Sequence, residues 1–249
     1  EAAQSIAPWC DDFEIWGECG CPWVSGGAFN NDVRVYSNYL AAANGAIKEA
    51  HPTARVWTGG NGMTNRGLDP AYFTAILDDG KGQCFDVTNW HPYKIQIDPS
   101  HLPAVEMETV AAEFGDVRAD LRKRGRNQPF AATEWGYPNV GAMPPDFERR
   151  LRSHVPAYDK DGVMWLTAPE AREWMTADLQ TMEEAEFQVV CLPYLQDFHA
   201  TGDTKGRYWG DVVGVLDAEG HRKPSFDVIQ EWGHKGRRGR KAFADWGVA

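Results

Sequence analysis

The chain has 249 residues, 43% of them hydrophobic, which is enough to bury a large core in one domain or two small ones. A formal charge of −11 argues against nucleic acid as the main ligand, because phosphate binding depends on a basic surface. No apolar run approaches the roughly 18 residues of a membrane helix, so no membrane partner is expected.

In chain order, FEIWG at 13–17 alternates like a strand. From Asp32 to Ala50, Val33, Tyr36, Leu40, Ala43 and Ile47 recur at steps of three and four, which predicts a helix with one apolar face. ARVWTGG predicts a second strand ending in Gly59 and Gly60, and 69–78 a helix opened by Asp69 and Pro70 in the cap and first-turn positions. CFDVTNWHPY is the third strand, stopped by Pro92. Residues 103–125 carry Val105, Val110, Phe114, Val117 and Leu121 at helical spacing and close at Gly125, before a fourth strand in PFAATEWGY. Residues 138–168 have four prolines, mixed charge and no period, and read as a long excursion, such as a lid. A capping box from Thr167 to Glu170 opens a helix over 169–185, FQVVCLPYL is the fifth strand, and KPSFDVIQEW is a last helix. The basic stretch HKGRRGRK marks 234–249 as a solvated tail or linker after a domain over 1–233.

Five cysteines cannot all pair within the chain. Cys19 and Cys21, with Cys10 nearby, have no second Cys pair or His at zinc-finger spacing, so packed thiols or one local disulfide are expected. The seven His include no H-E-x-x-H, although His51, His91 and His199 could converge, and no G-x-S-x-G elbow is present. The eleven Trp supply a large core, and aromatic faces also suit ligands with C–H surfaces such as sugars.

Five alternations of strand and helix favour a parallel sheet wrapped by helices. A doubly wound sheet calls for a Gly-rich phosphate turn after its first strand, and GECGCPWVSGG does not match it. A (β/α) barrel places its chemistry at the C-terminal ends of several strands, where the polar groups fall here. The fold class expected is therefore α/β of the TIM-barrel type, incomplete because five units are found where eight close a barrel.

Glu18 closes the first predicted strand and Glu134 the fourth, so a barrel would set both on one rim. Two such carboxylates are what glycoside hydrolysis needs: one donates a proton to the leaving oxygen while the other attacks the anomeric carbon or positions water. His91 and Tyr93 end the third strand, where either could hydrogen-bond a carboxylate or a sugar hydroxyl, and Trp90 and Trp135 adjoin them as candidate stacking walls. Taken singly, each has a plainer reading as a solvated carboxylate, a turn residue or a core aromatic. Simple alternation puts Glu14, Trp16 and Glu18 on one face, with Glu14 deeper than Glu18 unless a bulge shifts the register, and a buried Glu14 needs a cationic or donor partner.

FEIWGE is similar to the EIWNEP strand of clan-A glycoside hydrolases, the retaining TIM-barrel enzymes that include cellulases and β-xylosidases. VWTGG, FDVTNWHPY, ATEWGY and the stretch from YLQDF to GHRKPSF resemble their later strands in the same order, so nearly the whole chain is covered. The resemblance implies strands four to eight of a (β/α)8 barrel, with Glu18 as acid/base on strand four and Glu134 as nucleophile on strand seven. It implies that His91 and Tyr93 contact nucleophile or substrate from strand six. It further implies a carbohydrate substrate, no cofactor or metal, an extracellular location by analogy, and strands one to three elsewhere in the full-length protein. Three features depart from the pattern. Gly17 stands where the clan has an Asn that binds the sugar 2-hydroxyl; Cys191, Leu192, Pro193 and Tyr194 stand where an aromatic platform is usual; and the supporting arginine of the early strands is absent. A carbohydrate-binding barrel that has lost catalysis, or a truncated fragment, is the alternative.

Overall fold

The structure, a computed structural model, describes residues 5–6, 10–19, 32–60, 70–92, 103–136, 168–192, 195, 197 and 214–239. The predicted excursion, Tyr93, Thr167 of the capping box, Cys21 and His199 lie outside them. The elements in order are β1 (Asp12–Ile15), α1 (Val33–Ala50), β2 (Arg55–Thr58), α2 (Pro70–Asp78), a 3-10 turn (Lys81–Gln83), β3 (Thr88–Trp90), α3 (Pro103–Lys123), β4 (Phe130–Ala132), α4 (Ala168–Glu184), β5 (Phe187–Val190) and α5 (Pro224–Gly239). The predicted alternation is thus present, with strands of only three or four residues. The last helix runs past the end predicted for it, through the first residues of the basic stretch.

The strands are parallel, as strands joined by helical crossovers must be. β1 pairs with β2, and β3, β4 and β5 form a second short sheet in that order. A single bridge between Trp57 and Val87 links the two. The architecture is mixed α/β with short parallel sheets. No helix among the described residues is long and apolar enough to cross a membrane.

The chain divides into two compact units. The first comprises 1–136, 161–164 and 177–193, and the second 137–160, 165–176 and 194–249. In the first unit the two faces of the strands have different compositions. Trp90, Phe130 and Phe187 turn towards the helices, where Phe73 of α2 and Phe114 of α3 join them in a chain of edge-on and tilted rings 4.8–6.1 Å apart. Each ring pair adds about 1 kcal/mol to the burial of its apolar area. The opposite face alternates with it: Trp57, Val87, Ala131 and Val189 form a small apolar floor. Glu14, Asn89 and Thr133 share this second face by strand register, and their side chains meet there.

In the second unit, Val215 and Leu216 donate to the Leu195 carbonyl, and Leu216 bridges Arg222 across a tight turn. At its centre Lys223 Nζ lies 2.6 Å from Asp197 Oδ2, with the two side chains only 4% and 2% exposed. The Gly214 N–H also donates to Asp197. Burial holds the Asp197 carboxyl up at about 6 against the pull of Lys223, and lowers the Lys223 ammonium.

Candidate active site

Three of the residues singled out from the sequence, Glu18, His91 and Glu134, come together just beyond the C-terminal ends of β1, β3 and β4. That is the end of a parallel sheet at which ligands bind, because each crossover leaves a loop there. His91 is the hub, with a side chain only 1% exposed. Its Nδ1 lies 3.3 Å from Glu18 Oε1 and 3.6 Å from Glu134 Oε2. Its Nε2 lies 3.1 Å from Thr133 Oγ1 and 3.7 Å from Glu14 Oε1.

Burial by itself would lower the His91 pKa. Hydrogen bonds to Glu14 and Glu18, and the charges of Glu134 and Glu18, outweigh it and raise the value to about 9. At neutral pH the ring is therefore an imidazolium, with Nδ1 donating to Glu18 and Nε2 to the Thr133 hydroxyl, and with the Glu14 and Glu134 carboxylates close by.

The carboxylates differ in access. The Glu134 side chain is 44% exposed, Glu14 28% and Glu18 12%. This corrects the expected order of depth, since Glu18 and not Glu14 is the more enclosed. The cause is local. β1 stops at Ile15, and Trp16 takes a left-handed backbone with φ of 73°, a conformation that is uncommon for a bulky residue. The alternation breaks there. Trp16 turns out to pack edge-on against Tyr39 of α1, while Glu18 swings back over His91 beside Glu14.

Asn89 and Thr133, which alternation and spacing did not single out, connect the site. Asn89 Nδ2 donates to Glu14 Oε1 and to Thr133 Oγ1, both at 2.7 Å, while its Oδ1 accepts from the N–H groups of Thr133 and Trp90. All four side-chain hydrogen-bonding positions are filled, which holds the amide in one orientation. The Gly60 N–H gives Glu14 a second donor at 3.2 Å, so the donor partners expected for Glu14 are present. The signal in the sequence was a side-chain amide inside a predicted strand, Asn89 between Thr88 and Trp90. Such a residue must find partners when buried.

Two glycines make room for this cluster. A Cβ on Gly60 would fall 2.1 Å from the His91 ring, and one on Gly59 would fall 2.4–2.9 Å from the carbonyl oxygens of Gly17, Ile15 and Trp16. No such crowding surrounds Gly17, whose Cβ would meet nothing within 4 Å.

The two tryptophans proposed as stacking walls are corrected. Trp90 is fully buried among Phe73, Phe114 and Phe130 on the helix-facing side of β3, opposite to Asn89. Trp135 is also fully buried, and its indole N–H donates to Asp178 of α4. Neither presents a ring face to a sugar.

Among the described residues, Glu18, His91 and Glu134 offer ligand atoms all within 4.8 Å of one another, as do Asp217, Glu219 and His221 on an exposed turn. In the second group the contacts serve the turn itself, with Asp217 accepting from the N–H groups of Glu219 and His221. In the first, a metal would have to displace the proton that His91 holds at neutral pH.

No protein-family model matches the chain, and no curated protein matches it in sequence. Solved structures do. A family 39 glycoside hydrolase from Bacteroides cellulosilyticus aligns with 92% of this chain at a TM-score of 0.58 and 16% identity. An exo-β-1,4-mannosidase from Opitutaceae bacterium strain TAV5 aligns with 95% at a TM-score of 0.59 and 14% identity. A GH2 β-galacturonidase from Eisenbergiella tayi, bound to galacturonate, aligns with 94% at a TM-score of 0.56 and 14% identity. The chain spans 42%, 39% and 35% of the lengths of these three proteins. At this identity the likeness is one of fold: the chain is folded like part of a glycoside hydrolase.

Proposed function

We propose that the protein is a retaining glycoside hydrolase, acting on oligo- or polysaccharides with Glu134 as nucleophile and Glu18 as acid/base. One observation carries the reading. Oxygens of the two carboxylates lie within 4.8 Å of each other, both facing the same nitrogen of His91. Retaining pairs stand about 5–5.5 Å apart, whereas inverting pairs need about 6.5–9.5 Å to admit water. The more exposed Glu134 attacks the anomeric carbon while the more enclosed Glu18 gives its proton to the leaving oxygen. Glu18 then takes a proton from water to release the glycosyl-enzyme.

The His91 imidazolium opposes carboxylate charge throughout. In the first step Glu134 loses its charge to the covalent bond and Glu18 gains one, and the Nδ1 proton is within reach of both. A hydrogen bond that can pass from one carboxylate to the other stabilises each state in turn. No metal or organic cofactor enters these steps. The fold is read as strands four to eight of a clan-A barrel. The domain is read as 1–233, and Tyr93 as a further sugar contact.

The test is turnover of a panel of aryl glycosides by full-length protein and by Glu134→Gln. Loss of roughly 10⁴-fold in kcat with the fold intact supports the reading, and turnover indifferent to the substitution overturns it. The anomeric configuration of the first-formed product, followed by NMR, checks retention. Gly17 favours a second reading, a carbohydrate-binding barrel without catalysis, since the side chain that meets the 2-hydroxyl in the resembling enzymes is missing. Saturable sugar binding without Glu18-dependent turnover would distinguish it.

A further inference from the structure

The turn that carries Glu18 is gripped on both flanks by tyrosines from different helices. β1 and β2 pair in register as far as Ile15 and Thr58. At the next step the ladder is interrupted. The Tyr36 hydroxyl, reaching from α1 with its ring fully buried, donates to the Ile15 carbonyl at 3.2 Å and accepts from the Gly59 N–H at 2.7 Å. It thus stands in for a backbone bond at the point where Trp16 turns left-handed and the chain leaves the sheet. On the other side of Glu18, the Tyr72 hydroxyl of α2 donates to the Cys19 carbonyl at 3.0 Å. Cys19 itself is fully buried, its Sγ directed at the Gly59 carbonyl at 4.0 Å. Glu18 is therefore suspended between two anchored residues, over a glycine whose missing Cβ leaves space for the turn.

We propose that Tyr36 and Tyr72 are positioning residues that hold the Glu18 carboxylate in place against His91. The proposal rests on the reading of Glu18 as acid/base. A left-handed Trp16 is held only by what surrounds it, and without the two hydroxyls the turn relaxes towards the ordinary extended form. A shift of about 1 Å in a proton donor can cost on the order of 10²-fold in rate.

Tyr36→Phe, Tyr72→Phe and the double variant keep both rings and remove only the hydroxyls. The control is Lys48→Met, which breaks the contacts of Lys48 with Asp86 and the Ala54 carbonyl at the opposite end of the strands. In the double variant, kcat/KM on phenyl glycosides is expected to fall about 10²-fold. On dinitrophenyl glycosides, whose leaving group needs no proton, it should change less than about twofold. His91 titration by NMR provides a readout independent of turnover. With Glu18 displaced, the ring's pKa should move from about 9 towards the ordinary value, and Lys48→Met should leave it in place. Equal losses with both leaving groups, with His91 titrating as in the parent, would overturn the proposal. If the parent protein shows no Glu134-dependent turnover, the glycosidase reading falls separately, and the His91 titration still decides whether the tyrosines hold the turn.

Discussion

The two units each bury a charged group, and they treat it differently. In the second unit Lys223 and Asp197 neutralise one another in a closed pair, with the Gly214 N–H as a further donor to the carboxylate. In the first, one buried imidazolium faces three carboxylates, two of them substantially open to solvent. A closed pair with matched charge does structural work. An excess of acceptors around one cation, left accessible at the ends of parallel strands, keeps carboxylates concentrated where a substrate can reach them, at some cost in self-repulsion. The contrast separates a fastening from a site.

The largest expected effect breaks the contrast on the functional side. Glu134→Gln should reduce turnover roughly 10⁴-fold while changing stability by less than about 1 kcal/mol, because the side chain is half exposed and His91 keeps Glu14 and Glu18. Thermal melting and kinetics on the same preparation check both halves. On the structural side, Lys223→Met should cost about 3–5 kcal/mol by leaving a buried carboxylate uncompensated, seen as a fall in Tm of roughly 10 °C. Replacing both partners with apolar residues should recover most of that loss.

The pH dependence of stability sharpens the comparison, since the two groups act in different windows. His91 is raised in the folded state from an ordinary value of about 6.5 to about 9. Its contribution, on the order of 3 kcal/mol, is fully present below about pH 6.5 and is lost as pH rises through 9. Denaturant melts across that range should show the decline in the parent and not in His91→Gln. The raised Asp197 carboxyl also makes the folded state hold its proton longer than the unfolded one, but in a lower window, between about 3.9 and 6.

Smaller effects are expected at the glycines. Gly60→Ala presses a methyl group into the His91 ring and should cost about 1–3 kcal/mol, together with a loss of activity. Gly17→Asn meets open space and should alter stability by no more than about 0.5 kcal/mol. On the proposed reading it restores a contact to the sugar and raises kcat, so the same kinetic assay tells a weakened enzyme from a binding module.

Much of the local structure was legible. The α1 face through Tyr36, Leu40 and Ile47 is buried as its spacing predicts, because a helix carries its own period and needs only an apolar partner. The positions of Glu18, His91 and Glu134 after strands were legible for the same reason: turn and strand signals are local. Asn89 and Thr133 were missed because their role exists only between strands more than forty residues apart in sequence. The tryptophans were misplaced because adjacency to a site residue along a strand means the opposite face of the sheet. Trp90 follows Asn89 and so turns to the helices.

By itself, then, the sequence determined the order of strands and helices, the apolar helix faces and which carboxylates stand at strand ends, all properties of hydrogen bonding and periodicity over a few residues. Only the tertiary structure decided that Trp16 turns outward, that Glu18 lies deeper than Glu14, and that one imidazolium gathers three carboxylates. Those outcomes depend on a tyrosine hydroxyl, a missing Cβ and an asparagine amide arriving from other elements. The long-range balance of burial against hydrogen bonding chooses among conformations that the local chain leaves open.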